Sequence, residues 1–303
     1  MKKIGLIGVG AMGRGVLKNL IKNNCDVLAY DVSERAREEI RKLGGYVATD
    51  PKEVAQYSNV IFLSLPNPQV IKEIFFGEEG IGGHLLENTF ILDLSTIDPE
   101  TTRELNEWCK GHHSYYFDCP VSGGPKGADE GTLTIMVGGD RERYPEAKKY
   151  LRLIGKNIEY IGESGLAQTL KLCQNMIVAA NLVALGEAFA TGIKQGLSIE
   201  MMADVINKGL AGSTALEYYR PNIVNNTYEN VNFMLKHMHK DLALYLDTAE
   251  RIGVTPFIGS CIFNLYQIAK QKNKSELDTS AVCQVFEELA AVRFNTKNEK
   301  TET

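Results

Sequence analysis

Hydrophobic and polar residues follow two different patterns along the chain. Up to about residue 163, short runs rich in β-branched and aromatic residues alternate with stretches of helical periodicity. Strands that alternate with helices form βαβ units, which build a mostly parallel sheet with helices on both faces. This part of the chain is therefore predicted to be a doubly wound α/β domain. Its predicted strands are KKIGLIG, DVLAYD, NVIFLSLP, TFILDLST, YYFDCPVSG, LTIMVGG and NIEYIGE.

The pattern changes near residue 164. Beyond Gly165 no further strand is predicted, and long stretches of apolar periodicity are interrupted only at GLS, AGS, RPN and GVTP, which indicates helices alone. We therefore predict two domains, an α/β domain at residues 1–163 and an all-helical domain at residues 164–303, joined through a long interdomain helix. The C-terminal stretch NTKNEKTET lacks an apolar stripe and is predicted to fray.

Composition narrows the classes of partner. The chain has 303 residues and a formal net charge of -5, and its isoelectric point is about 5.7. Nucleic acids and anionic membranes are bound through basic surfaces, so neither is an expected partner, and a small solute is favoured. No run approaches the roughly 20 uninterrupted apolar residues of a membrane helix. The six cysteines are scattered without a C-x-x-C pair, so we expect reduced thiols and a cytoplasmic location.

Three glycines close the first predicted strand and open the first predicted helix. In GVGAMG they have the spacing G-x-G-x-x-G. The first glycine permits a tight turn, the second lets the backbone approach a pyrophosphate, and the third lets the helix pack on the strand. The pattern predicts a Rossmann dinucleotide-binding domain, and the alternative is a glycine-rich connection without a ligand. The predicted cofactor contacts of this turn are Gly8, Val9, Gly10, Ala11, Met12 and Gly13.

The second predicted strand ends in AYDVSER, which places Asp31 18 positions after Gly13. A carboxylate about 20 residues beyond the glycines accepts the hydroxyls of the adenosine ribose, and it would repel the 2′-phosphate of NADP. Asp31 therefore favours NAD, and NADP is accommodated only if Arg14 or Arg35 neutralises that phosphate. The alternative role of Asp31 is a helix N-cap, for which Ser33 competes.

Four separated motifs make nearly the whole chain resemble the β-hydroxyacid dehydrogenases, the family of 3-hydroxyisobutyrate dehydrogenase and tartronate semialdehyde reductase. The motifs are GLIGVGAMG, DCPVSGGPKGADEGTL at residues 118–133, GLAQTLKLCQN at 165–175 and KHMHKDL at 236–242. The resemblance implies an NAD(P)-dependent oxidoreductase that interconverts a small 3-hydroxyacid, or a sulfonate analogue, and its semialdehyde. It also implies a homodimer or homotetramer assembled through the helical domain.

The same resemblance assigns site residues. In that family the Ser-Gly-Gly of the second motif lies against the substrate carboxylate, the lysine of the third is catalytic, and the Lys-Asp of the fourth closes over the nicotinamide side. The strand ends SLPNP and DLSTID supply further cofactor contacts. These roles fall on Ser122, Gly123 and Gly124 for the substrate, on Lys171 with Asn175 for catalysis, on Lys240 with Asp241 for substrate and cofactor, and on Leu65, Pro66 and Thr96 for the cofactor.

The chemistry of these residue types agrees with the implied roles. A serine hydroxyl and two unobstructed backbone N–H groups suit a carboxylate, although SGGPKG would equally form a turn or bulge after the strand. As hydride arrives at a carbonyl carbon, the ammonium of Lys171 would stabilise the negative charge on oxygen and then protonate it. The competing role for Lys171 is a solvated lysine, or an ion pair with Glu163 or Glu187.

The sequence leaves alternatives open for the substrate, and also for whether the protein is an enzyme. Lys236 and His237 resemble the branch that reduces succinic semialdehyde and glyoxylate, whereas SGGPKGADEGTL resembles the hydroxyisobutyrate branch. An NADPH-preferring glyoxylate or succinic semialdehyde reductase is therefore the second enzyme hypothesis. A cofactor-binding scaffold without turnover is the alternative of another class, against which Lys171 argues. His237 and His239 point about 200° apart on a helix, so we expect no metal site.

Overall fold

The computed structural model describes residues 2–294, and the segment predicted to fray lies outside them. The chain divides into two units, Met1–Lys171 and Leu172–Thr303. All the strands of the described residues lie in the first unit, and the second unit is helical. The predicted change from α/β to all-helical structure is therefore confirmed.

One sheet runs through the first unit. Its strand order is β3-β2-β1-β4-β5-β6-β8-β7, and β9 pairs with β8. The pairs are parallel except those of β8 with β6 and with β7. The order reverses between β1 and β4, and a doubly wound sheet binds its ligand beside such a reversal, at the carboxyl ends of the strands. The strands are β1 (Lys2–Ile7), β2 (Cys25–Tyr30), β3 (Tyr46–Val47), β4 (Val60–Leu63), β5 (Phe90–Asp93), β6 (Tyr115–Asp118), β7 (Val121–Ser122), β8 (Leu133–Gly138) and β9 (Gly155–Gly162).

Two details of the sheet differ from the prediction. Strand β3 was not predicted, because a strand of two residues is too short to show an alternating pattern. The run YYFDCPVSG was predicted as one strand but contains two, β6 and β7. Pro120 lies in the gap between them, and proline has no N–H group to donate to a neighbouring strand.

The helices of the first unit connect its strands. Three of them begin with the same local signal, in which Asp50, Asn67 or Asp98 precedes a proline and accepts the backbone N–H three residues later, at 2.7–2.9 Å. A side-chain N-cap followed by proline is a strong helix start. These helices are α1 (Ala11–Lys22), α2 (Glu34–Leu43), α3 (Pro51–Tyr57), α4 (Pro68–Phe76), α5 (Pro99–Gly111), α6 (Gly124–Glu130) and α7 (Tyr144–Leu151).

Helix α8 (Leu166–Lys194) is long and apolar enough to cross a membrane by length and composition alone, with a mean hydropathy of 1.7 in its most apolar window. Its composition has a simpler explanation in the second unit. Ala179, Leu182 and Phe189 are fully buried there in the hydrophobic core. The remaining helices of this unit are α9 (Ile199–Lys208), α10 (Thr214–Asn225), α11 (Leu235–Arg251), α12 (Phe257–Gln271) and α13 (Cys283–Ala290).

Helices α1 and α6 pack against each other very closely. A Cβ atom added to Gly15 would lie 2.6 Å from the carbonyl carbon of Ala128, so only glycine fits at this crossing. One turn later, the buried Asn19 donates from Nδ2 to the carbonyl oxygens of Ala128, at 2.7 Å, and Asp129, at 3.3 Å. These contacts fix α6, and with it the Ser-Gly-Gly segment that leads into α6, to the helix that follows the glycine-rich turn.

Candidate functional site

The glycine-rich turn joins β1 to α1, and its three glycines are needed for different reasons. Gly8 has φ of +92°, and an added Cβ would lie 2.2 Å from the carbonyl oxygen of Ser64. A Cβ on Gly13 would lie 2.0 Å from the carbonyl oxygen of Gly8. A Cβ on Gly10, by contrast, would meet no heavy atom of the described residues within 4 Å. The fold therefore requires Gly8 and Gly13, whereas Gly10 borders open space.

The first turn of α1 suits an anion. Gly10 is the N-cap residue, and it has no side chain that could bind the N–H groups of the first turn. The residues after it, Ala11, Met12 and Gly13, have no acidic side chain. The backbone N–H groups of a helix start have no partner within the helix, and they carry the positive end of the helix dipole. The turn can therefore bind a dinucleotide phosphate through backbone groups alone.

Asp31 lies just beyond the end of β2 and is tied to the glycine-rich turn. Its Oδ2 accepts the backbone N–H of Val9 at 2.7 Å, and its Oδ1 accepts that of Ser33 at 2.8 Å. Ser33, not Asp31, occupies the N-cap position of α2. Both carboxylate oxygens keep a lone pair for a further donor, so Asp31 can still accept ribose hydroxyls.

Arg14, one candidate for neutralising a 2′-phosphate, is already engaged. Its Nε lies 3.3 Å from Glu39 Oε2, and its Nη1 lies 3.2 Å from Asp129 Oδ1. These contacts join α1 to α2 and α6. Arg35 is exposed at the start of α2. The charge of Arg14, which a 2′-phosphate would need, is therefore already balanced by two carboxylates.

The loops after β4 and β5 are linked by a buried polar group. The N–H of Leu65 donates to Ser95 Oγ at 2.8 Å, and the N–H of Ser95 donates to Asp93 Oδ1 at 2.9 Å. Asp93 is fully buried, and its Oδ2 accepts the Tyr116 hydroxyl at 2.6 Å. Burial raises the pKa of Asp93 to about 6, although hydrogen bonds from Ser95 and Tyr116 lower it. The backbone at Leu65 is thus held to the loop that contains Thr96.

Asp118, at the end of β6, connects the sheet to α8. Its Oδ1 accepts the backbone N–H of Gly165 at 3.0 Å, and its Oδ2 accepts that of Gln168 at 3.1 Å. Burial raises the pKa of this carboxyl, while the two N–H groups oppose that shift. Lys171 follows in the second turn of α8 and is half-buried. The sheet therefore fixes the start of the helix that carries the predicted catalytic lysine.

The Ser-Gly-Gly segment lies four residues after Asp118. Ser122 ends β7 and is half-buried, and α6 begins at Gly124. Gly123 and Gly124 have φ of +126° and +61°, a region in which side chains other than glycine's are strained. The fold thus explains both glycines as backbone requirements, and neither residue has a side chain that could obstruct its own N–H group.

In the second unit, three residues of the predicted site come together. Asn175 Nδ2 donates to Asp241 Oδ2 at 2.6 Å, and Lys240 Nζ lies 2.8 Å from Asp241 Oδ1. Asn175 and Asp241 are only 5% and 2% exposed. Asp241 therefore orients the asparagine amide and balances the charge of Lys240.

The two histidines of KHMHKDL have separate surroundings. His239 Nε2 lies 2.6 Å from Gln267 Oε1, and the His237 ring packs near Phe233. Burial lowers the pKa of both imidazoles. Within residues 2–294, no group of three or more His, Cys, Asp or Glu side chains could hold a metal ion.

Sequence reasoning missed the buried polar residues that support the site. Asp93, Ser95 and Asp118 lie in the segments DLST and DCPVSGG, and no supporting role is predicted for them from the sequence. The available signal was a carboxylate at the end of an apolar strand, since a buried charge needs partners. The partners themselves are distant in sequence and could not be identified from it.

Sequence models of two families match the chain. The NAD binding domain of 6-phosphogluconate dehydrogenase matches residues 3–162. The family described as NAD-binding of NADP-dependent 3-hydroxyisobutyrate dehydrogenase matches residues 165–286. Together the two models cover both the sheet and the helical part of the chain.

Individual relatives match over almost their full length. The chain is 36% identical to a probable mitochondrial 3-hydroxyisobutyrate dehydrogenase of Dictyostelium discoideum, over 93% of this chain and 89% of the relative. It is 30% identical to an NAD-dependent L-serine dehydrogenase of Pseudomonas aeruginosa, over 95% and 98%. A solved structure of Mycobacterium tuberculosis 3-hydroxyisobutyrate dehydrogenase with L-serine has a TM-score of 0.86 at 29% identity, covering 94% of this chain and 99% of that one.

Proposed function

Because this chain belongs to the β-hydroxyacid dehydrogenase family, we propose that it is an NAD-dependent oxidoreductase that interconverts a small 3-hydroxyacid and its semialdehyde. The observation that carries the proposal is the open space at Gly10, in a turn whose other two glycines are required by packing. The similarity to enzymes named for 3-hydroxyisobutyrate and L-serine makes these two compounds the first substrates to test. A sulfonate analogue belongs in the same screen, as do glyoxylate and succinic semialdehyde.

In the proposed mechanism, the chain's residues handle the substrate carboxylate and one proton. Ser122 donates its hydroxyl, and Gly123 and Gly124 donate backbone N–H groups, to the carboxylate. Lys171 takes the hydroxyl proton during oxidation and returns a proton to the carbonyl oxygen during reduction. The bound nicotinamide supplies the hydride acceptor or donor. Some expectations from the sequence stay predictions. They are the roles of Asn175 and Lys240, the domain boundary after residue 163 and the cytoplasmic location.

We also propose that the helical domain forms a homodimer or homotetramer. The apolar faces of α8 that motivated this prediction are covered by the chain itself only in part, and Ile177 remains 55% exposed. Other apolar side chains of the second unit are not covered. Val254, Phe257 and Ile258, around the start of α12, are 51%, 79% and 65% exposed. Exposed apolar side chains that form a contiguous patch are typical of protein interfaces.

The first prediction concerns the cofactor. We expect a higher kcat/KM with NAD(H) than with NADP(H), because the Asp31 carboxylate would repel a 2′-phosphate. Asp31→Asn removes that charge and should narrow the ratio of the two kcat/KM values by roughly tenfold, which corresponds to about 1.4 kcal/mol. Both kcat/KM values should fall as well, because the amide can accept only one of the N–H groups of Val9 and Ser33. Steady-state kinetics with both cofactors measure it. Asp247→Asn removes an exposed charge from α11 and should leave the ratio unchanged. A preference of the unmodified protein for NADP(H) would contradict the proposal.

The second prediction concerns Lys171. Lys171→Ala should lower kcat by roughly 100-fold or more, the usual contribution of a positioned acid-base group. Melting temperature and NADH affinity should change little, because the lysine is proposed to act on the reacting oxygen only. Lys194→Ala removes a lysine of the same helix that donates to the Ala290 carbonyl oxygen, and it should keep kcat. Full turnover by a folded, NADH-binding Lys171→Ala protein would defeat the mechanism.

The third prediction concerns assembly. Sedimentation velocity at micromolar concentration should show a dimer or tetramer of the unmodified protein. Phe257→Glu should shift the distribution towards monomer, because a charge placed on the exposed apolar patch opposes its burial. Val32→Glu, at a residue of the first unit that is 78% exposed, is the control and should not change the distribution. A monomeric unmodified protein would refute the proposed assembly.

A further inference from the structure

Gln168 is a fully buried amide in the first turn of α8, three residues before Lys171. Its Nε2 donates to the carbonyl oxygen of Ser95 at 2.8 Å, and its Oε1 accepts the backbone N–H of Ile97 at 3.2 Å. The side chain thus holds the backbone on both sides of Thr96. We call this pair of hydrogen bonds the Gln168 clamp.

Both ends of the clamp are fixed by other contacts of the first unit. On the helix side, the N–H of Gln168 donates to the Asp118 carboxylate. On the loop side, Ser95 is held by the hydrogen bonds that join it to Leu65 and Asp93. The clamp therefore joins two segments that are each supported elsewhere, and its two hydrogen bonds form a direct side-chain link between them.

A buried primary amide costs free energy unless its donor and acceptor are both paired. An apolar side chain of similar length would fill the same volume, but it would take away the hydrogen-bond partners of the Ser95 carbonyl and the Ile97 N–H. Packing alone therefore does not explain glutamine at this position. An amide has one feature that an apolar side chain lacks, which is that it fixes a backbone carbonyl and a backbone N–H at the same time.

From these contacts we infer that Gln168 is a positioning residue, which sets the distance between Thr96, a predicted cofactor contact, and the ammonium of Lys171. The inference rests on the proposed function. Residues three apart lie on adjacent turns of one helix face, so a displacement of Gln168 carries Lys171 with it. A misplacement of roughly 1 Å at reacting groups can cost about 100-fold in rate.

The test replaces Gln168 by methionine, which has a similar length and cannot make the clamp. The control is Thr169→Val, which removes a hydrogen bond from the adjacent Thr169 hydroxyl to the Gly165 carbonyl oxygen, at 2.8 Å, and leaves the clamp intact. The readouts are kcat, NADH affinity, the melting temperature, the primary deuterium isotope effect and amide hydrogen exchange at Ile97. The substrate is 3-hydroxyisobutyrate or L-serine, whichever the unmodified protein oxidises faster.

For Gln168→Met we expect kcat to fall by about 10- to 100-fold while NADH affinity stays within about threefold. The isotope effect on kcat should increase, because hydride transfer becomes more strongly rate-limiting. The amide of Ile97 should exchange faster, because it loses its acceptor. For Thr169→Val we expect kcat, isotope effect and Ile97 exchange close to those of the unmodified protein, even where the melting temperature falls.

Three outcomes would overturn the inference. Unchanged exchange at Ile97 in Gln168→Met would show that no clamp exists, whatever the protein's activity. An unchanged kcat in an active protein would show that the clamp does not position Lys171. An equal loss of kcat in Thr169→Val would indicate general destabilisation of the helix start.

The failure of the proposed function has a different signature. No turnover of any screened substrate by the unmodified, NADH-binding protein would refute that function and the catalytic part of the inference, while Ile97 exchange would still decide whether the clamp exists. If Gln168→Met does not fold, Gln168→Leu replaces it, since it also lacks the amide and places no charge in the buried site. The same drop in kcat is then expected, and a full kcat would overturn the inference.

Discussion

The buried carboxylate of Asp118 accepts two backbone N–H groups from the start of α8, and the arrangement of the candidate site depends on this contact. A buried carboxylate is unfavourable by itself, as the raised pKa of Asp118 shows. Two N–H donors at the positive end of a helix offset part of that cost. Because Asp118 ends β6, the strand that leads towards Ser122 also fixes the helix that carries Lys171.

The packing of the first unit separates residues that the fold requires from residues that it does not explain. Gly8, Gly13 and Gly15 each stand where a Cβ would collide with backbone. Gly10 has no such neighbour among the described residues. Gln168 belongs to neither type, because its amide pairs the backbone groups of Ser95 and Ile97. For Gly10, which opens a helix at the carboxyl end of β1, a ligand is the better explanation.

Much of the fold could be predicted from the sequence, because periodicity distinguishes strands from helices and the glycine spacing marks the first turn. The missed strand β3 is only two residues long, and the break at Pro120 depends on which hydrogen bonds the sheet demands. The position of each candidate site residue along its element was also predictable. Their partners were not. The contacts of Asp31 with Val9 and of Asn175 with Asp241 join residues 22 and 66 positions apart, and a single sequence does not reveal such pairs.

The central claim is that hydride passes directly between a 3-hydroxyacid and NAD on this protein. The most direct measurement supplies NAD with 3-hydroxyisobutyrate, or L-serine, in which both hydrogens on the carbon bearing the reacting hydroxyl group are replaced by deuterium. Mass spectrometry and NMR of the recovered cofactor then locate the label. The account predicts one deuterium at C4 of the nicotinamide ring for each NADH formed. NADH that forms without deuterium at C4, or cofactor that remains oxidised with every screened substrate, would contradict it.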